Sequence, residues 1–296
     1  MKYQYLPNSP SSEADIIIQR VCFGESVSAK GGTESAPDAI LEASNTLEYY
    51  DEDLEWSPMK FLNISVEKSI FTYEEISSKT EALHVGERQL LISLGGDHSI
   101  TPQITQGLLE EPATILFLDA HADLRESYMG NVWSHATPAH HLLEQGHKLI
   151  MVGVRSLFEK EADRVKHDAN ISFYGDRALQ QESTKERLFE ELRALEGRLY
   201  LSIDMDVFNP AFVPSVGTPQ PGGIDYYFAT EILHVLFFDS EATVVGVDMV
   251  ELIPEANSVS QTFGAKLLQK IISYWGKSQA FDKSLEKGAQ TRVEYE

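Results

Sequence analysis

Only one cysteine, Cys22, occurs in the 296 residues. That excludes an intramolecular disulfide framework and suits a reducing compartment. Its setting, IIIQRVCFG, is strand-like, and a buried, inert thiol is expected there. Long apolar runs are missing as well: no stretch approaches the roughly 18 residues needed to cross a bilayer. The N-terminal MKYQYLPNSPSSEAD is polar where a secretory signal would be apolar. Basic residues are scarce, 24 Lys and Arg against 46 Asp and Glu, giving a formal net charge of −22. This balance argues against nucleic acid and anionic membrane as partners, and it would draw cations toward the molecule. No linker, repeat or low-complexity tract divides the chain. A single cytoplasmic domain over 1–296 is therefore expected, with the aperiodic segment from about Lys277 onward as a mobile or subunit-contacting tail.

What is present is a 42% hydrophobic content, ample for a large core, arranged in short apolar runs. IIIQRV, LLISL, TILFL, KLIMVGV, ISFY, RLYLSI and TVVGV read as strands, separated by stretches of helical character. The clearest helix is STKERLFEELRAL, where Ser183 and Glu186 have capping-box spacing and Leu188, Leu192 and Leu195 share a face. Alternation of this kind predicts an α/β fold, a central parallel sheet with helices on both faces. In such sheets ligands bind beyond the carboxyl ends of the strands.

Chemistry-bearing residues gather at those ends. DAHAD, following TILFL, sets Asp119, His121 and Asp123 at alternate positions, which aims all of them one way because strand side chains alternate with period two. Alone, the segment reads equally well as a strand end with solvated Asp and a capping His. SLGGDHS, with His98 after LLI, and SIDMD, with Asp204 and Asp206 again at alternate positions, change that balance. His98, His121, Asp119, Asp123, Asp204 and Asp206 are too many ligands for one zinc, which usually takes four. The set suits two divalent ions bridged by shared carboxylates, and its hard oxygen donors favour manganese, with iron, cobalt or nickel chemically allowed. Paired ions lower the pKa of the water between them and orient it for attack. Hydrolysis is the reaction implied.

The segments GGDHSITP, DAHADLR with SHATP, SIDMDVFNPAFVPSVGTPQPGG and DMVELIP stand in the order and spacing of the arginase and agmatinase family, the ureohydrolases, which this chain resembles from about Gly24 to about Leu268. FGESVSAKGGTESAPDAI is similar to that family's N-terminal glycine-rich substrate loop. The resemblance implies two Mn²⁺ per subunit. One would lie on His98, Asp119, Asp123 and Asp204, the other on His121, Asp119, Asp204 and Asp206. It also implies that Asp123 orients the attacking water, that Glu251 grips the substrate guanidinium, and that His135 delivers a proton to the departing amine. A guanidinium suits a carboxylate because its paired N–H donors bind bidentately. Taken without the metal motifs, Glu251 reads more simply as a solvated charge and His135 as a hydrogen-bonded loop residue. The resemblance further implies a homotrimer or homohexamer. The chain departs from the family pattern at Asn209, where Asp is usual before the Pro, at PSVGTP, and at PEANSVSQT, so the shape of the wall beside Glu251 is left open.

For the substrate, LRESYMGNVWSHA is the informative loop. Tyr128, Met129, Val132 and Trp133 suit a methylene chain and Glu126 a distal ammonium, whereas Arg125 is expected to be structural. This favours agmatine, converted to putrescine and urea, over arginine, a guanidino acid, guanidine or aminopropylagmatine. Loss of ligands would mark a catalytically silent binding protein, and none is lost here. Other features carry bland expectations. His140 and His141 read as helix residues outside the site, Tyr226 and Tyr227 as packing at a helix start, Glu48–Glu55 (EYYDEDLE) as a solvated acidic face, and GGTESAP and GTPQPGG as loops at the mouth of the site.

Overall fold

The computed structural model describes residues 1–24 and 30–284; most of the glycine-rich GESVSAK stretch therefore lies outside the described residues. Among the described residues eight strands form a single sheet: β1 Ile16–Val21, β2 Ile64–Val66, β3 Leu90–Gly95, β4 Thr114–Leu118, β5 Lys148–Val152, β6 Ile171–Tyr174, β7 Glu196–Asp204 and β8 Glu241–Val250. Their order is β2-β1-β3-β8-β7-β4-β5-β6, and every pairing is parallel. The continuous apolar runs follow from this, because a parallel sheet covered on both faces needs no polar side.

Within β1, Ile16 and Ile18 face one core while Ile17 and Val21 face the other. The first core is closed by α1 (Ala36–Ser44), α6 (Glu182–Arg193), α7 (Tyr226–His234) and α8 (Val259–Ser278), through side chains such as Leu41, Leu188, Ile232 and Leu267. On the other face lie α2 (Ile76–Glu81), α3 (Thr101–Leu108), α4 (Pro138–Glu144) and α5 (Glu159–His167), which supply Ile76, Ile104, Leu142 and Val165. The three-layer α/β expectation holds.

Details differ from the sequence reading. The edge strand β2 was not anticipated, because three residues within FLNISVEK are too short to show a pattern. Helix α6 starts at Glu182 behind an N-cap Gln181 that makes no side-chain cap bond. Ser183 is therefore already helical and the Ser183–Glu186 box does not form, since a capping Ser must sit at the non-helical N-cap. Leu188 and Leu192 are buried, while Leu195 lies past the helix end and is only partly buried. The acidic stretch is not wholly solvated: Asp51 is buried and paired with the buried Lys270 Nζ of α8 at 3.1 Å. Tyr226 packs on Phe263, but Tyr227 is 79% exposed and is not a packing residue. Cys22 is buried, and burial, as the leading cause, pushes its thiol pKa up, away from the reactive thiolate. No helix among the described residues is long and apolar enough to cross a membrane.

Candidate metal centre

Four neighbouring strands, β3, β8, β7 and β4, end at the same edge, and each delivers part of the site. Beyond β3 the chain turns through Gly95 and Gly96 into the short helical turn His98–Ile100, capped by Asp97, whose carboxylate accepts the Ser99 N–H. Gly96 is required by close approach: a Cβ there would stand 1.7 Å from the Phe23 carbonyl oxygen. His98, fully buried, points its Nδ1 at carboxylate oxygens of Asp119 (3.0 Å), Asp204 (3.2 Å) and Asp123 (3.6 Å). His121 Nδ1 lies 2.9 Å from Asp206 and 3.6 Å from Asp119.

Two ligand groups result, His98–Asp119–Asp123 and Asp119–His121–Asp206, within each of which one atom per residue lies inside 4.8 Å of the others; Asp119 belongs to both. Asp204 belongs to neither group, but it lies 3.2 Å from His98 Nδ1, so the six residues that the motifs single out are brought together. Backbone N–H groups hold the carboxylates in place, His121 N–H to Asp119 at 2.6 Å, Asp206 N–H to Asp204 at 2.7 Å and Ala120 N–H to Asp206 at 3.1 Å. Asp123 and Glu251 both adopt positive φ, 51° and 65°. Such strain in non-glycine residues concentrates at functional sites.

Electrostatically, the centre has too many anions. Burial, then repulsion from neighbouring carboxylates, pushes the Asp123 and Asp204 carboxyls well above their ordinary range. Burial acts on Asp119 in the same direction but is outweighed by His121 and His98, which hold it at about 2. Burial would lower the pKa of both imidazoles, yet Asp119 and then Asp123 push His98 up to about 9, and Asp119 and Asp206 push His121 up to about 12. The cluster demands cations, and divalent ions fit: His98 Nδ1 and Asp119 Oδ2 are buried and lie 3.0 Å apart, with no well-aligned hydrogen bond to each other or to any other described residue.

A cavity of about 330 Å³ opens over this cluster, with Glu251, His135 and Tyr128 in its wall. Glu251, at the end of β8, is 7% exposed, and its Oε1 accepts the His98 N–H at 2.8 Å. Burial and Asp97 push its carboxyl up to about 8. Tyr128 and His135 meet edge to face at 5.4 Å. Glu126 is exposed and is not among the residues lining the cavity. Met129 is 88% exposed, and Trp133 stacks on His141 at 4.0 Å outside the cavity. His140 bonds to Arg164 at 2.7 Å and His141 to the Val132 carbonyl at 2.7 Å.

Several lining residues were not anticipated. Leu157 and Phe158 follow β5, and their place just past a strand end is a signal that could have found them. Thr218, 3.3 Å from Asp206, and Gln220 come from the GTPQPGG loop, which does reach the mouth of the site. Arg125 lies in the wall, its guanidinium over the rings of Tyr128 (5.2 Å) and Phe158 (4.9 Å). Arg155 has no sequence signal, yet it donates to the carbonyls of Asp206 (2.8 Å) and Gln220 (3.2 Å) and ties those two loops together. Asn209, the departure from the family pattern, accepts the Ala211 N–H at 2.9 Å and so orders its own turn.

A sequence model of the arginase family matches residues 14–273. The chain belongs to the arginase family. Within it, the chain is 31% identical over 290 residues to an N(1)-aminopropylagmatine ureohydrolase of Synechocystis sp., covering 90% of this chain and 91% of that one. It is 32% identical over 282 residues to an agmatinase of Pyrococcus horikoshii, covering 90% and 94%. The crystal structure of an agmatine ureohydrolase of Thermoplasma volcanium superposes with a TM-score of 0.79 at 27% identity, covering 94% of each chain. Membership of the arginase family makes this chain a ureohydrolase and implies a divalent metal site, for which the clustered His and Asp residues could serve, and the parallel sheet flanked by helices is the arginase-like fold.

Proposed function

We propose that the protein hydrolyses the terminal guanidinium of agmatine or its N-aminopropyl derivative, releasing urea and the corresponding amine. One observation carries the reading: the two ligand groups sharing Asp119 open into the same cavity as the buried Glu251. His98, Asp119, Asp123 and Asp204 would hold one Mn²⁺ and His121, Asp119, Asp204 and Asp206 the other, a carboxylate-rich donor set that suits this ion. Such a pair of ions supplies an activated water at neutral pH.

The remaining work belongs to the chain's own residues. Glu251 receives the guanidinium, whose N–H donors and charge compensate a carboxylate that is otherwise expensive to bury. Asp123 accepts a hydrogen bond from the attacking water and so fixes its direction. His135, also in the cavity wall, gives a proton to the departing nitrogen, which must leave as a neutral amine. Tyr128, Leu157 and Phe158 form the apolar wall along which a methylene chain can lie. Agmatine is favoured by this wall and by the net charge of −22, and the N-aminopropyl derivative by the names of relatives such as the one from Synechocystis sp.. We place the enzyme in the cytoplasm, in polyamine formation, as a homotrimer or homohexamer.

A second reading rests on Arg125. A guanidinium in the cavity wall, lying over aromatic rings and with no carboxylate partner among the described residues, could receive a carboxylate, and the substrate would then be a guanidino acid. Urea release from Mn²⁺-loaded enzyme with agmatine, aminopropylagmatine, arginine and 4-guanidinobutyrate separates the two. Turnover of the first pair is the expected result, and exclusive turnover of guanidinobutyrate would replace it with the second reading.

A further inference from the structure

Behind His98 lies a polar network that the proposed reaction does not use. His98, Ser202, Asp248, Tyr200 and Thr101 are all fully buried. Ser202 and Asp248 are register partners on β7 and β8. Asp248 accepts from Ser202 Oγ at 2.8 Å, Tyr200 OH at 2.8 Å and Thr101 Oγ1 at 2.9 Å. Ser202 Oγ in turn lies 2.9 Å from His98 Nε2. The imidazole plane is fixed by Phe117, on which it stacks at 4.7 Å and 7°.

Proton counting gives this network a direction. Each hydroxyl has one proton, and only an ionised Asp248 offers acceptors to all of them. Ser202 therefore spends its proton on Asp248 and can only accept from His98, which makes Nε2 the protonated nitrogen. The lone pair is left on Nδ1, the atom that faces Asp119, Asp123 and Asp204. We propose that Asp248, acting through Ser202, is a positioning residue that holds His98 in the tautomer able to bind a metal through Nδ1. The inference rests on the metal-centre reading above. Outer partners of this kind typically change metal affinity 10- to 100-fold.

Asp248→Asn tests it at nearly constant shape. With its oxygen facing Tyr200 and Thr101, the amide must donate to Ser202, whose proton then turns to His98 Nε2 and forces a proton onto Nδ1. Metal-free protein titrated with Mn²⁺ alone, the free ion being followed by its electron paramagnetic resonance signal, should show one of the two sites weakened by about 100-fold. Ser202→Ala removes the acceptor but leaves Nδ1 open, and should weaken the same site by about tenfold. Combined, the two substitutions should match Ser202→Ala alone and so bind more tightly than Asp248→Asn. That recovery is not expected of residues that merely fill space.

Parental affinity in Asp248→Asn, or single effects that multiply in the double variant, would overturn the proposal. If Asp248→Asn does not fold, parental affinity in Ser202→Ala overturns it equally. Failure of the unsubstituted protein to bind Mn²⁺ at all would instead remove the metal reading on which the proposal stands.

Discussion

Asp119 joins the two ligand groups, with one oxygen turned toward His98 and the other toward His121. Asp119→Ala should therefore strip both metals, whereas His98→Ala should chiefly weaken one site, and metal content by mass spectrometry distinguishes them. Retention of two tightly held ions in Asp119→Ala would refute the bridging role. Glu251 and His135 divide differently. Glu251→Gln keeps the shape but loses the charge opposite the guanidinium, so KM should rise with metal content retained. His135→Asn should lower kcat by roughly 10² to 10⁴, the range of general acid–base catalysis. Unchanged kcat and pH profile in His135→Asn would remove its proton-transfer role. The roles proposed for Glu251 and His135 rest on the family resemblance, but the gathering of Asp119, His121 and Asp123 was legible from their alternate spacing after a strand. Glu126 was not. The chain reverses at Met129 and Gly130, both at positive φ, with Tyr128 and Asn131 exchanging backbone bonds, and the path of such a loop is not written in its composition.

At the level of elements, the strands were readable because each is a continuous apolar run, and the parallel sheet followed from their alternation with helices. What escaped the sequence depends on partners distant in the chain. Asp51 looks like one more surface acid until α8 brings Lys270 against it from 219 residues away. Lys270 Nζ is buried, and it also bonds to Asp53 at 2.6 Å, while Trp56 Nε1 donates to Ser273 on the same helix at 2.8 Å. The Asp51–Trp56 turn is thereby fastened to α8. Lys270→Met would leave Asp51 buried without its cation and should destabilise the fold by about 3 kcal/mol, since breaking one side of a buried pair exposes the full desolvation penalty of the other. Adding Asp51→Leu removes the stranded charge and should recover most of the loss. Thermal unfolding at fixed metal concentration checks this, and additive losses in the double variant would show that the ion pair is not the source.

For the whole molecule, a charge of −22 surrounds a centre that is itself short of cations. An acidic surface raises the local concentration of cationic substrates and their rate of encounter, an effect that salt screens over about 10 Å at 0.1 M. Agmatine is a dication at neutral pH, whereas arginine carries one net positive charge and an α-carboxylate that a site must desolvate and pair. The apolar wall of Tyr128, Leu157 and Phe158 offers that carboxylate little, and Arg125 is the cation in the wall that could meet it. We therefore expect kcat/KM for agmatine to exceed that for arginine by at least about a hundredfold, roughly 2.7 kcal/mol of transition-state discrimination. Raising the salt from 0.02 to 0.5 M should lower kcat/KM for agmatine more than for arginine, because the field acts on the larger charge. Arg125→Ala then decides what the wall contributes. Relief of repulsion should leave agmatine turnover equal or improved while residual arginine turnover falls. If Arg125→Ala instead harmed agmatine turnover and spared arginine, Arg125 would be holding Tyr128 and Phe158 in place for the methylene chain and not discriminating by charge.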